Sequence, residues 1–518
     1  MAVDYSLYLV TDSTKPILGN KDLARVVEEA IEGGVTIVQY RNKINDTADL
    51  IRMGKRLHEI TEKHGVPLLI NDRVDVALAV GAEGVHIGQD DIDIRTARKI
   101  LGPDAIIGVT ACSLSEAIVA AGQGATYLGL GTVFATPTKA DAKSIIGTAG
   151  VRTILHRVSS VHEAIPTVAI GGINDSNVQR VLFQSKAPKK GLNGVAIVSN
   201  IMAAENPRGA ATILKNLITN LPTTMSPKAQ QNTDLKEMLS QVPSIVKEVG
   251  EASPLCHNMT NLVVQNFSAN VALCIGASPI MANYGEEAAD LANLGGALVV
   301  NMGTVTPAGV LNYTQAIRAY NEIGRPILLD PVGAGATAVR RKSLKTLMSN
   351  GYFAVIKGNE NEIKTVWGES NTQQKGVDSG ASTSDDEEKA KLVKDLAIRE
   401  RNVILMTGET DFLSDGQRTL SIANGSPYLE CITGSGCTLG TTIAAFLAVC
   451  EGDKLLAALA GILMFEIAAE VAAEREDVQG PGTFVPAFLD ELYVITRSSA
   501  HGEEHEWVTR AKVEILDV

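Results

Sequence analysis

Eight short apolar runs punctuate the first 200 residues, at positions 7–10, 36–40, 67–70, 84–87, 105–109, 127–130, 167–170 and 194–198. Stretches with apolar residues at helical spacing, such as 22–32 and 47–64, lie between them. An eight-fold alternation of strand and helix predicts a closed (β/α)8 barrel, whose chemistry collects where the strands end.

The stretch LLINDRVDVALAVGAEGVHIGQDD, residues 68–91, shows the pattern at its clearest. Leu68, Leu69 and Ile70 stop at Asn71-Asp72, a helical segment runs from Val74 to Val80, and a second run around His86 stops at Gln89-Asp90-Asp91. Parallel neighbouring strands would bring Asp72 and Asp91 to one rim, where two carboxylates can hold a divalent cation; the alternative for Asp72 is an N-cap and for Asp91 a solvated turn. The 36–40 run leads through Gln39 to Arg41 and Lys43, which alternation places on one side of an extended segment. That trio suits a pyrophosphate, Arg offering a fork and Lys a point charge, or else forms a solvated basic turn. Later runs end in Thr110, in Thr136, Thr138 and Lys139, in Gly171-Gly172, and in Val198-Ser199. Loops after the last two strands of such barrels often hold phosphate through backbone N–H groups.

With 518 residues the chain exceeds what one hydrophobic core serves. Its net charge of −13 argues against nucleic acid as main partner. Six cysteines without CxxC spacing argue against a zinc site or disulfide framework. The N-terminus MAVDYSLYLVTD has neither the basic start nor the apolar core of a targeting peptide, and no uninterrupted apolar run approaches bilayer length. A cytoplasmic protein with no membrane partner is expected.

Together YLVTD, VQYRNK, the 68–91 stretch, GTVFATPTK, AIGGI and VAIVSN resemble thiamin phosphate synthase over roughly the first 220 residues. The resemblance implies that Gln39, Arg41, Lys43 and Asn71 hold a pyrimidine pyrophosphate, with Asp72 and Asp91 on Mg2+. Thr136, Thr138, Lys139, Gly172, Val198 and Ser199 would surround the substrates' phosphates. His86 matches a position near the pyrimidine, or is an internally satisfied barrel residue. Thr110 stands where bacterial relatives carry Ser, which keeps the hydroxyl. The implied reaction displaces pyrophosphate from an aminopyrimidine-methyl carbon by a thiazole nitrogen.

A polar, proline-containing segment, 223–234, reads as a linker between domains at 1–222 and 235–518. Strand-like runs at 298–301, 327–330, 354–357, 403–406 and 411–414, with alanine-rich helices at 438–450 and 454–475, predict a three-layer α/β sandwich beyond it. Segment 373–391, acidic and rich in Ser and Gly, reads as a mobile surface insertion. Before an apolar helix stands ITGSGCT, whose Gly434, Ser435 and Gly436 would turn N–H groups toward an anion or form an ordinary turn.

PLCHNMTNLVVQNFSANVALCIGASPIM, GALVVNMGT, ILLDPVGAGAT, VIKGNENEI and MTGETDFLSD resemble hydroxyethylthiazole kinase, of the ribokinase-like group. That resemblance implies ATP as co-substrate and Mg2+ organised by Asn359 and Glu362, directly or through water. It implies Lys357, Arg in bacterial relatives, and Thr407 near the nucleotide phosphates, and Met281 and Gly434 at the thiazole. Cys437 stands where most ribokinase-like enzymes carry a general-base Asp, and either acts as a thiolate lowered by the helix N-terminus or packs as a neutral group. The whole reads as α/β, an N-terminal (β/α)8 TIM barrel plus a C-terminal ribokinase-like three-layer domain. Both halves then serve thiamin biosynthesis in one homo-oligomer, a trimer or hexamer through the kinase half. The alternative keeps one half catalytic and makes the other a sensing or assembly module.

Overall fold

A computed structural model describes residues 3–134, 136, 145–220, 233–368, 384–501 and 506–518. The chain divides into two compact units, Met1–Leu221 and Pro222–Val518. The segment expected to link them, 223–234, lies outside the described residues except for its last two positions.

In the first unit the eight apolar runs become β1 (Leu7–Val10), β2 (Ile37–Tyr40), β3 (Leu68–Asn71), β4 (Gly84–Ile87), β5 (Ile106–Ala111), β6 (Tyr127–Leu130), β7 (Thr167–Ile170) and β8 (Gly194–Ile197). They pair in sequence order, all parallel, and β8 closes on β1. Successive side chains of a strand point to opposite faces, so each strand feeds two cores. Leu7, Leu9, Leu68, Ile70, Val85 and Ile87 pack outward against the helices. Tyr8, Ile37, Leu69, Ile106, Tyr127 and Val168 fill the barrel. Helix Val74–Val80 forms where the sequence places it, closed by Gly81 in the left-handed conformation at φ 79°.

The second unit is a nine-stranded sheet in the order β10-β9-β11-β12-β13-β14-β15-β16-β17. The expected runs are β11 (Ala297–Asn301), β12 (Ile327–Asp330), β13 (Val355–Asn359), β14 (Val403–Thr407) and β15 (Asp411–Ser414). Four further strands escape the apolar signal: β9 (Leu255–Met259), β10 (Ser278–Ile280), β16 (Thr419–Ile422) and β17 (Val513–Ile515). β9 carries His257 and Asn258 in its middle, both buried. His257 is satisfied by Tyr320 Oη at 3.2 Å and Ala282 O at 3.0 Å. β10 and β17 are three-residue edge strands, too short to show a period.

Alternation along this sheet again serves two faces. Val299, Leu328 and Leu405 pack with helices Ser435–Val449 and Lys454–Glu474, while Leu298, Val300 and Leu329 pack with helices Pro307–Glu322 and Asp386–Glu400. This is the expected three-layer sandwich. Helix Lys454–Glu474 is long and apolar enough to cross a membrane, with mean hydropathy 2.0, yet 94% of that window is buried inside the unit. The described end of the expected surface insertion, from Asp386 on, is helical. Asp386 opens a helix, Asp385 caps it by accepting from Glu388 N, and the acids of its first turn complement the helix dipole. Residues 373–383 lie outside the described ones.

One close contact fixes how the barrel interior packs. A β carbon at Gly108 would fall 2.1 Å from Tyr127 Cζ. Gly108→Ala is expected to destabilise the barrel by about 1–3 kcal/mol through overpacking, read as a lower urea midpoint. Gly122→Ala, where nothing lies within 4 Å at the end of helix Leu114–Gly122, is the control and should not lower the midpoint.

Candidate active sites

The alternation that fills the barrel also builds its upper rim. Two residues beyond inward-facing Ile37 and Leu69 come Gln39 and Asn71, and the same spacing on β4 and β5 brings His86 and Thr110 inward. These groups join in a chain of hydrogen bonds. Gln39 Nε2 donates to Asn71 Oδ1 at 2.8 Å, and Tyr8 Oη donates to Gln39 Oε1 at 3.1 Å. The Tyr8 and Tyr127 hydroxyls are 2.8 Å apart, Tyr127 Oη is 2.7 Å from His86 Nδ1, and His86 Nε2 is 2.8 Å from Thr110 Oγ1. Burial holds both tyrosine hydroxyls well above the usual phenol range, so they stay protonated. His86 is thus internally bonded and also part of the rim.

Asp72 follows β3 at the apex of a turn closed by Arg73 N donating to Asn71 O at 2.7 Å. Its φ of 61° is left-handed, which costs a residue with a β carbon roughly 1–2 kcal/mol. Arg73, not Asp72, is the N-cap of helix Val74–Val80, so the capping role considered for Asp72 falls away. Its carboxyl instead hydrogen-bonds that of Asp91, and burial, then Asp91, pushes its pKa up. Lys43 Nζ, 3.3 Å from Asp72 Oδ2, offsets part of this. Asp91 Oδ2 also accepts from Gly88 N at 2.7 Å.

Gln39, Arg41 and Lys43 do not present one flat face. Gln39 is buried in the barrel, Arg41 turns to Asp12 beyond β1 at 3.8 Å, and Lys43 turns to Asp72 beyond β3. Of the remaining rim residues, Gly172 follows β7 with φ 65°, and Val198 caps a short helix that begins at Ser199. Thr136 is described, whereas Thr138 and Lys139 lie outside the described residues.

In the second unit β11, β12, β13 and β14 end in Asn301, Asp330, Asn359 and Thr407, with Asn301 opposite Asp330 and Asn359 opposite Thr407. Asp330 is fully buried; its Oδ2 accepts from Asn301 Nδ2 at 3.0 Å and Lys357 Nζ at 3.4 Å, and no donor reaches Oδ1. Lys357 is buried too, 3.4 Å from where a Gly436 β carbon would stand. The pair lies beneath the start of helix Ser435–Val449, capped by Gly434 at φ 89°. A side chain at Gly434 would meet Val264 Cγ1 at 2.2 Å. The N–H groups of a helix's first turn have no intrahelical acceptor, so Ser435, Gly436 and Cys437 present an anion-binding edge above a buried cation.

Asn261 Nδ2 donates to Cys437 Sγ at 3.4 Å and to Asn301 Oδ1 at 3.0 Å. Burial, and then the Asp330 carboxylate, pushes the Cys437 thiol up to about 11 against the pull of Lys357. The lowering expected from the helix N-terminus is outweighed, and the group is a thiol at neutral pH. Asn359 and Glu362 form a capping box: Glu362 N donates to Asn359 Oδ1 at 3.0 Å and Asn359 N to Glu362 Oε2 at 2.8 Å. Glu362 Oε1 accepts from Gly333 N at 2.8 Å. Burial, and then Asp330, pushes Glu362 up to about 7. Met281 follows edge strand β10 and precedes Ala282, whose carbonyl His257 holds.

Comparison with known proteins bears on both units. The family model for thiamine monophosphate synthase matches residues 7–201, and that for the hydroxyethylthiazole kinase family matches residues 246–498. The probable thiamine biosynthetic bifunctional enzyme of Schizosaccharomyces pombe is 44% identical over 99% of both chains. The chain belongs to the family of bifunctional thiamine biosynthetic enzymes. Its Saccharomyces cerevisiae member is 37% identical over 95% of each chain. The thiamine-phosphate synthase of Clostridium novyi is 45% identical, covering all of that protein and 42% of this one. The chain is therefore a bifunctional enzyme of thiamine biosynthesis, with a thiamine-phosphate synthase half and a hydroxyethylthiazole kinase half.

Several groups around these two sites carry no local sequence signal of their own. In the synthase half, Tyr8 and Tyr127 sit in apolar runs and read as core, and Asp12 lies within a short polar turn. In the kinase half, Asn301 and Asp330 end LVVN and ILLD as Asp72 ends LLIND, so an apolar run stopped by a polar residue was the available clue. Two substitutions separate thiol chemistry from geometry at the helix start. Cys437→Ser is expected to keep most of the kinase rate. Gly434→Ala should lower it at least about tenfold, about 1.4 kcal/mol, both read as ADP formation with saturating substrates.

Proposed function

We propose that the kinase half phosphorylates 4-methyl-5-(2-hydroxyethyl)thiazole with ATP, and that the synthase half joins the product to 4-amino-2-methyl-5-(diphosphooxymethyl)pyrimidine, giving thiamine phosphate and pyrophosphate. The contact between Asp72 and Asp91 at the ends of adjacent strands carries the synthase reading. Two carboxyls forced together by the backbone, one raised in pKa by burial and then by the other, suit a divalent cation. Among the described residues no third acid, His or Cys completes a protein cage, so substrate oxygens and water would supply the other ligands of Mg2+. Bound there, the cation would supply charge against the departing pyrophosphate.

Arg41 and Lys43, now paired with Asp12 and Asp72, would turn to the pyrophosphate as it binds. Gln39, Asn71, His86 and Thr110 face the pyrimidine, with their hydrogen-bond chain holding the amides in place. Thr136, Gly172, Val198 and Ser199 would take the phosphate groups, together with Thr138 and Lys139. The C–O bond to pyrophosphate breaks with its electron pair leaving on oxygen, and the thiazole nitrogen's lone pair forms the new C–N bond. Placement and electrostatics do the work, since no protein group needs to form a bond.

In the kinase half the first-turn N–H groups of Ser435, Gly436 and Cys437, above Lys357, would cradle the ATP phosphates, with Thr407 alongside. Asn359 and Glu362 would organise Mg2+, with the buried Asp330 carboxylate near enough to raise Glu362. Glu362 already accepts a backbone N–H on each oxygen, which favours contact through water. Cys437 serves as a neutral positioning group rather than a base, as phosphoryl transfer needs little base assistance. Met281 and Gly434 border the thiazole. We further propose a cytoplasmic homo-oligomer, formed through the kinase half, with domains 1–222 and 235–518 as the two enzymes.

The chain alone, given the thiazole alcohol, ATP, Mg2+ and the pyrimidine diphosphate, should yield thiamine phosphate; formation of ADP without condensation would leave only the kinase. Asp72→Asn and Asp91→Asn should each abolish pyrophosphate release and spare ADP formation. A raised folded-state pKa at Asp72 means its contribution to stability is present at low pH and lost as pH rises through that pKa. At neutral pH without metal, Asp72→Asn should therefore melt higher than wild type. Added Mg2+ should raise the wild-type melting temperature and leave the variant's unchanged.

A further inference from the structure

Helix Lys454–Glu474 carries one charged residue, Glu466, between Leu455 and Ala469. Its side chain is buried, and no protein N–H or O–H reaches Oε2. The partner it has is the carboxyl of Asp411, the equally buried first residue of β15. Asp411 Oδ1 in turn accepts from Gly408 N at 2.9 Å, closing the turn that follows Thr407. One helical turn along, Glu470 Oε1 accepts from Asn424 Nδ2 and Gly425 N, each at 3.1 Å, and pairs with Lys512 Nζ at 2.9 Å. A β carbon at Gly425 would lie 3.9 Å from Glu466 Cδ. Two acids at i,i+4 on one helix thus reach two loops: the one after β14, and the one after β16 that leads to Gly434.

Two carboxyl groups in hydrogen-bond contact away from water must share a proton. Asp411 is the member with a backbone donor, so the negative charge belongs on it and the proton on Glu466. Burial raises both groups, and the Asp411 charge raises Glu466 further. Lys357 of β13 faces Asp411, and Glu470 faces Glu466 from its own helix. An apolar residue at 466 would pack in this helix with no charge to bury. The acid is therefore better explained by what it holds than by the core it sits in.

We propose that Glu466, as a carboxylic acid donating to Asp411, is a positioning residue for the nucleotide end of the kinase half, holding the 408–411 turn and with it Thr407. The proposal rests on the reading of Thr407 and the 434–437 turn as the ATP site. It is tested on the full-length chain with E466Q and E466L, measuring ATP KM and kcat from neutral to alkaline pH, with near-UV circular dichroism and the melting temperature of the kinase half as the folding control. Wild-type ATP KM should rise at alkaline pH as the pair becomes doubly charged. E466Q, whose amide donates without titrating, should keep the neutral KM and lose that rise. E466L should raise ATP KM roughly tenfold, with kcat little changed. A flat wild-type profile, the same alkaline rise in E466Q, or a wild-type KM in E466L would each overturn the proposal. Should E466L fail to fold by near-UV circular dichroism, the E466Q profile decides alone. A wild-type chain that binds no ATP by equilibrium dialysis would instead sink the ATP-site reading beneath it.

Discussion

Parallel strands all release their last residue at the same edge, and both halves of this enzyme are built on that constraint. Inside the sheet, alternating apolar side chains stabilise the two layers. At the edge the backbone can no longer pair, and whatever polar residue stands next is delivered to a shared rim. Asn71, Asp72 and Asp91 arrive together in the barrel this way, and Asn301, Asp330, Asn359 and Thr407 in the open sheet. The apolar runs hold the fold while their endpoints gather polar groups along one edge.

Legibility followed the same division. Every barrel strand lies within a residue or two of its apolar run, because strands covered on both faces read as continuous hydrophobic stretches. The contact of Asp72 with Asp91 was legible for the same reason, from two runs ending in acid one crossover apart. Polar interiors were not. β9 hides behind His257 and Asn258, whose partners Tyr320, Ala282 and Thr441 lie far along the chain. Tyr8 and Tyr127 looked like core and are core, yet their hydroxyls carry the chain that links Gln39 to His86.

Charge states were the least legible property. A helix start lowers a thiol in general, but at Cys437 burial and the adjacent Asp330 dominate. The NENE segment was read for a metal, and its first use of Asn359 and Glu362 is to cap their own helix. Both outcomes depend on which groups become neighbours across strands, and local spacing carries no record of that. The acid inside helix Lys454–Glu474 is a plain anomaly in the sequence, but its purpose appears only once Asp411 is seen against it.

The buried Asp330–Lys357 pair has a consequence for how ligands can enter the kinase half. Each side chain already neutralises the other within the interior. A visitor bearing only negative charge would have to pull the lysine away from its acid, and a lone divalent ion would strand the lysine. A nucleotide and its counter-ion arriving as one unit disturb neither balance. On the proposed nucleotide site, that balance would favour the preassembled complex over either component by itself.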